Sequence, residues 1–134
     1  MRDGMTQEVP RSPNDGDFDS FCTHYRATVV IVRGPSAGEQ FAVDSESVTV
    51  GRGPGVDREF DDPSMSARHA AIEYVDRGFR LRDLGSTNGL LLNGGVVKSA
   101  ELKHGDRFQL GAQEFQFVIE EVEATPEVYE LDVD

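Results

Sequence analysis

The chain has 134 residues, 13 basic and 25 acidic, for a formal charge of −12, and 37% of it is hydrophobic. That length holds one domain with tails, and the single cysteine, Cys22, excludes a disulfide framework or a thiolate metal cluster within the chain. A charge this negative argues against general binding to nucleic acid or to anionic membranes, and no run approaches the ~18 consecutive apolar residues of a spanning helix.

In chain order, residues 1–25 carry a net −3 and are rich in Asp, Asn, Gly, Pro and Ser. Only Phe18, Phe21 and Tyr25 offer apolar surface, so the segment reads as a disordered acidic tail. It has no apolar h-region, hence no secretory signal, and the expected location is cytoplasmic. Residues 27–32 predict a strand closed by Gly34-Pro35. Further strands are expected over 40–43, 48–50 and 70–75. Phe79 and Leu81 alternate with Arg80 and Arg82, the pattern of a half-buried strand with its arginines in solvent. Residues 90–92, then Asn93-Gly94, then 96–97 predict a tight hairpin, because Asn-Gly suits a two-residue turn with positive φ. Phe108 and Leu110 alternate with Arg107 and Gln109. Phe115, Phe117 and Ile119 alternate with Glu114, Gln116 and Glu120. Residues 121–134 read as a second acidic tail.

No window shows a 3.6-residue apolar period, so no helix is expected. Many short strands with frequent turn signals predict an all-β sandwich or barrel, one domain over residues 26–120. A sandwich gathers its loops at its two ends, where function is then expected.

The enzymatic signals fail one by one. Gly51, Gly53 and Gly55 lack the further glycine of a dinucleotide loop and precede no helix. His24, His69 and His104 are isolated, with no metal-ligand spacing. There is no Gly-x-Ser-x-Gly nucleophile turn. Asp61-Asp62 reads as an acidic turn before Pro63. The sequence therefore predicts no enzyme, no metal and no cofactor. Three clusters share a different theme. Gly51-Arg52 ends a strand, Ser66-Ala67-Arg68-His69 opens one, and the run from Gly85 through Ser86, Thr87 and Asn88 to Gly89 is a loop between two. Together they offer a guanidinium fork, several hydroxyls, an amide and flexible backbone N–H groups. That donor-rich, acceptor-poor set suits a tetrahedral oxyanion.

In order and spacing these clusters, with Asp83-Leu84, Asn93-Gly94, Leu102, Gly105-Asp106 and Leu110-Gly111, resemble the forkhead-associated (FHA) domain over about residues 27–120. The resemblance implies an FHA-type β-sandwich of two packed, mainly antiparallel sheets, with loops at one end that bind phosphothreonine peptides. It implies that Arg52 and Ser66 hold the phosphate, with Thr87 adding a contact. Asn88 would hydrogen-bond the peptide backbone, with Ala67, Arg68 and Ser86 beside them. His69 would pin the binding loop, Gly51 would shape the turn that aims Arg52, and Gly85 and Gly89 would shape the second loop. Two departures stand out. Ala67 occupies a position where the family often places a donor, which leaves any compensation to Arg68. Residues 57–60 replace a usually more apolar strand.

The implied partner is a threonine-phosphorylated protein or peptide. A second ligand implied by the resemblance is the chain's own phosphorylated tail, at Thr6 or Thr125. The alternative reading is a scaffold that keeps the fold and binds partners without phosphate, for which Arg52 and Ser66 would have no use.

Overall fold

The computed structural model describes residues 17–122. They form α1 (Phe18–His24) and eleven strands: β1 (Tyr25–Arg33), β2 (Gln40–Ala42), β3 (Ser47–Gly51), β4 (Arg58–Glu59), β5 (Ala70–Val75), β6 (Gly78–Asp83), β7 (Leu90–Leu92), β8 (Gly95–Val97), β9 (Ser99–Leu102), β10 (Arg107–Leu110) and β11 (Gln113–Glu121). One sheet has the order β2-β1-β11-β10-β7-β8 and the other β4-β3-β5-β6-β9. All registered pairs are antiparallel except β3 with β4. The expected two-sheet sandwich is therefore the observed fold.

Alternation builds the core. In β1 and β11, Val29 faces Phe117 and Ile31 faces Phe115 across the ladder, and all four are buried. Val48, Ile72 and Leu81 close the opposite layer. Rings tie the core: within one sheet Phe108 stacks on Phe115 with centroids 5.0 Å apart, and between the sheets Phe79 meets Phe117 edge to face at 5.0 Å. The Asn93-Gly94 hairpin forms as expected, with φ of 48° and 89° at its two central residues.

The N-terminal expectation needs correction. Residues 17–25 are structured, and α1 is a helix that the absence of a long apolar period had excluded. Asp17 caps it by accepting the Asp19 N–H at 2.9 Å. Phe18 and Phe21, three apart on one face, pack with Tyr74, and Phe21 meets Phe79 edge to face. Seven residues are too few for a stable isolated helix, so tertiary burial of Phe18 holds it. The rest of the expected N-terminal tail and residues 123–134, with Thr6 and Thr125, lie outside the described residues. Where residues 57–60 depart from the family pattern, the chain still pairs, as the two-residue edge strand β4. Arg82 grips Glu73 through two hydrogen bonds on the outer face.

Candidate functional site

Three segments meet at one end of the sandwich. The end of β3 continues beside residues 66–69: the His69 N–H donates to Val50 O at 2.9 Å, Arg52 N–H to Ser66 O at 2.9 Å and Gly53 N–H to Ala67 O at 3.1 Å. The backbones approach so closely that a Cβ on Gly51 would stand 2.1 Å from Ala67 O. Glycine is thus required at 51 by the close approach of two backbone segments, where the family resemblance implied a turn-shaping role.

The second segment is residues 62–66. Asp62 is 2% exposed. One of its carboxylate oxygens accepts from the Ser64 N–H at 2.9 Å and the Ser64 hydroxyl at 2.6 Å, and the other from the Ala112 N–H at 2.9 Å. Burial pushes its pKa up, but these donors outweigh burial and hold it below the ordinary carboxylate range. The sequence reading passed over Asp62 as a simple acidic turn. Its signal was the Asp-Pro-Ser spacing, which suits an Asx turn closing on the N–H two residues on. The same segment orients Arg52, whose Nε donates to Met65 O at 2.9 Å. The terminal nitrogens of Arg52 have no protein partner among the described residues, and the side chain is exposed.

The third segment is the loop from Asp83 to Gly89. Asp83 accepts the Ser86 N–H at 3.1 Å and the Ser86 hydroxyl oxygen accepts the Gly89 N–H at 2.9 Å. Gly85 and Gly89 both take φ of +84°, a region that disfavours side chains. His69 ties the segments together. It is fully buried; its Nδ1 accepts the Ser66 N–H at 3.0 Å, so the proton sits on Nε2, which donates to Gly89 O at 2.6 Å. The Ser66 hydroxyl oxygen accepts the Thr87 N–H at 2.9 Å. Asn88 donates its amide to Ser64 O at 2.8 Å.

The result is a concave pocket of about 280 Å³ lined by Arg52, Ser64, Ser66, Ala67, Thr87 and Asn88, with Pro63 and Met65 at its wall. No carboxylate lines it. Of the expected site residues, five share this surface. Arg68 and Ser86 do not line it: Arg68 is exposed outside the pocket and the Ser86 hydroxyl oxygen serves the loop itself. Asn88, expected to reach a peptide backbone, uses its N–H donor internally, which leaves its carbonyl oxygen for a ligand. Ser64 is a pocket residue that the sequence reading did not single out.

A guanidinium end, a hydroxyl with a free proton and no competing anion are what a phosphate or sulfate ester needs. Among the described residues no cluster of His, Cys, Asp or Glu could hold a metal ion, and no helix is long and apolar enough to cross a membrane.

Residues 48–111 match the family of the FHA domain. Over 85 residues the chain is 40% identical to the glycogen accumulation regulator GarA of Mycolicibacterium smegmatis, covering 63% of this chain and 54% of that protein. Over 90 residues it is 38% identical to the oxoglutarate dehydrogenase inhibitor of Corynebacterium diphtheriae, covering 67% of this chain and 63% of that protein. The chain thus spans little more than half the length of these curated relatives. A solved structure from work on phosphothreonine-dependent FHA domain interactions superposes with a TM-score of 0.64 at 28% identity, over 69% of this chain and 95% of that one.

Proposed function

This chain carries an FHA domain, and from that premise we propose that it is a phosphothreonine reader, a non-enzymatic module that docks threonine-phosphorylated proteins and so transmits the output of a Ser/Thr kinase. One observation carries the reading: Arg52, Ser66 and Thr87, from three separate segments, converge on a pocket with no carboxylate in its wall. A phosphothreonine brings about −1.5 to −2 charges. A charge-assisted hydrogen bond of this kind contributes roughly 1.5–3 kcal/mol. Without the phosphate a threonine brings no charge to meet Arg52, so the module acts as a switch reader. The curated relatives are named as a regulator and an inhibitor, which fits a binding role; the enzyme in the second name is the one that protein inhibits.

Titration of the full chain with a phosphothreonine peptide library, alongside the unphosphorylated peptides, tests the reading. Binding that needs the phosphate and disappears in Arg52→Ala supports it. Equal binding of phosphorylated and unmodified peptides overturns it in favour of a phosphate-independent scaffold.

A further inference from the structure

Beyond the phosphate pocket, the outer face of the six-stranded sheet carries a path with its own chemistry. Ser64 and Asn88 also line a second concavity of about 220 Å³, with Gly89, Leu91, Gln109 and Gly111. Leu91 and Gln109 in turn line a third, of about 380 Å³, which contains Arg33, Arg107 and Glu114. Each cavity shares two residues with the next, so the three form one groove.

The ladder explains its course. Leu91 pairs with Gln109, Gln109 with Glu114, and Glu114 with Arg33, a single cross-strand row over β7, β10, β11 and β1. Their chain neighbours Leu90, Phe108, Leu110 and Phe115 are buried, so by alternation the row faces outward. Glu114 is held between Arg33, in a close ion pair, and Arg107, at 3.7 Å. The carboxylate is 15% exposed while the two guanidinium side chains are 76% and 53% exposed. Two cations therefore cover one anion, and their unused N–H groups point to solvent at the far end of the groove. A single carboxylate cannot satisfy the ten N–H donors of two arginines.

We propose that this groove receives the segment flanking the phosphothreonine and that Arg33 and Arg107 select a cluster of acidic side chains on it. The inference rests on the phosphothreonine reading. Gly111 to Arg107 is four residues of chain, about 13 Å. An extended segment needs about as many residues to cover that path, beyond those that step out of the phosphate pocket. The acidic cluster therefore lies about five to eight residues from the phosphothreonine. Gln109 and Leu91 on the way offer one amide and one apolar contact, and so suit neutral residues between the phosphate and the acids.

The test uses the tightest phosphothreonine peptide from the library in three forms: with neutral flanks, with three Glu on the C-terminal flank, and with three Glu on the N-terminal flank. Fluorescence anisotropy at low and moderate salt reads the affinities. One acidic form should bind about two- to fivefold tighter than the neutral form at low salt, the scale of exposed ion pairs, with the gain shrinking as salt rises. Arg33→Gln/Arg107→Gln should bind the neutral form as wild type does and lose the gain, and Arg33→Lys/Arg107→Lys should keep part of it. Equal affinity for all three forms, or a gain that survives in the glutamine variant, overturns the groove while leaving the phosphate pocket intact. Failure of every phosphothreonine peptide to bind overturns the phosphothreonine reading itself, and the groove with it.

Discussion

The Ser66 hydroxyl oxygen accepts the Thr87 N–H at 2.9 Å, so two loops 21 residues apart in sequence meet on one atom at the rim of the pocket. The oxygen is engaged as an acceptor, and its proton is directed elsewhere, free for an anion. Ser66→Ala removes both functions. It should weaken phosphopeptide binding by about 1–2 kcal/mol, as loss of a neutral donor to a charged acceptor, with little change in melting temperature because the site is half exposed. Isothermal titration beside a thermal melt checks both halves, and a large drop in stability would show that Ser66 holds the loops more than the ligand.

His69 should behave in the opposite way. Its removal strands the Ser66 N–H and the Gly89 carbonyl and leaves a hole at a fully buried position. His69→Ala is expected to cost about 2–4 kcal/mol of stability, read by urea unfolding. Unchanged stability with lost binding would make His69 a ligand contact instead.

Asp62 gives the protein an acid-sensitive joint. Its folded pKa lies below the unfolded value, so it contributes stability that is present above the ordinary carboxylate range and lost as pH falls through the lower folded value. Asp57 and Glu73 shift in the same direction, the first by hydrogen bonds from Thr49 and the second by Arg82. The variant therefore has to isolate the contribution. Asp62→Asn should melt lower than wild type at neutral pH, and the gap should narrow as pH falls below the ordinary carboxylate range. A gap independent of pH would refute the assignment.

Gly51→Ala should be poorly tolerated even though no positive φ is involved, because the new methyl would meet Ala67 O at 2.1 Å. Either the β3 end or the 66–69 segment must move, and the Arg52 and Gly53 N–H bonds to that segment move with it. Stability should fall by about 1–3 kcal/mol, the scale of an overpacked site, and phosphopeptide affinity with it. A variant that matches wild type in both would show that the two backbones have room to part.

What could be read from the sequence was whatever depended on near neighbours. The alternation of Phe115, Phe117 and Ile119 places β11, and Asn93-Gly94 places the hairpin, because both signals lie within a few residues. The helix α1 was hidden because its stability comes from Tyr74 and Phe79, some fifty residues away, rather than from its own seven residues. β4 was marked only by the family resemblance, because a two-residue parallel edge strand has no period to show. At the site, the residue types of Arg52, Ser66 and Thr87 were legible as a donor set. Asp62 was not, since its burial depends on Ala112, fifty positions on. The displacement of Arg68 and Ser86 from the pocket likewise follows from where the loops turn, which composition does not record.

The pairing of Tyr25 with Glu121 sets both ends of the domain side by side, while Ala112, just before the other end of β11, bonds Asp62 at the site. The nine residues of β11 between them span about 27 Å. Thr125 lies four residues past Glu121, a tether of at most about 14 Å, and falls short of its own molecule's pocket. Thr6 lies eleven residues before Asp17, a tether of up to about 37 Å, which is long enough. On reach alone, a self-bound tail is therefore open to Thr6 and closed to Thr125. A phosphate on Thr125 would meet only another molecule's pocket, in a reciprocal pair or a longer head-to-tail series, and either contact weakens on dilution.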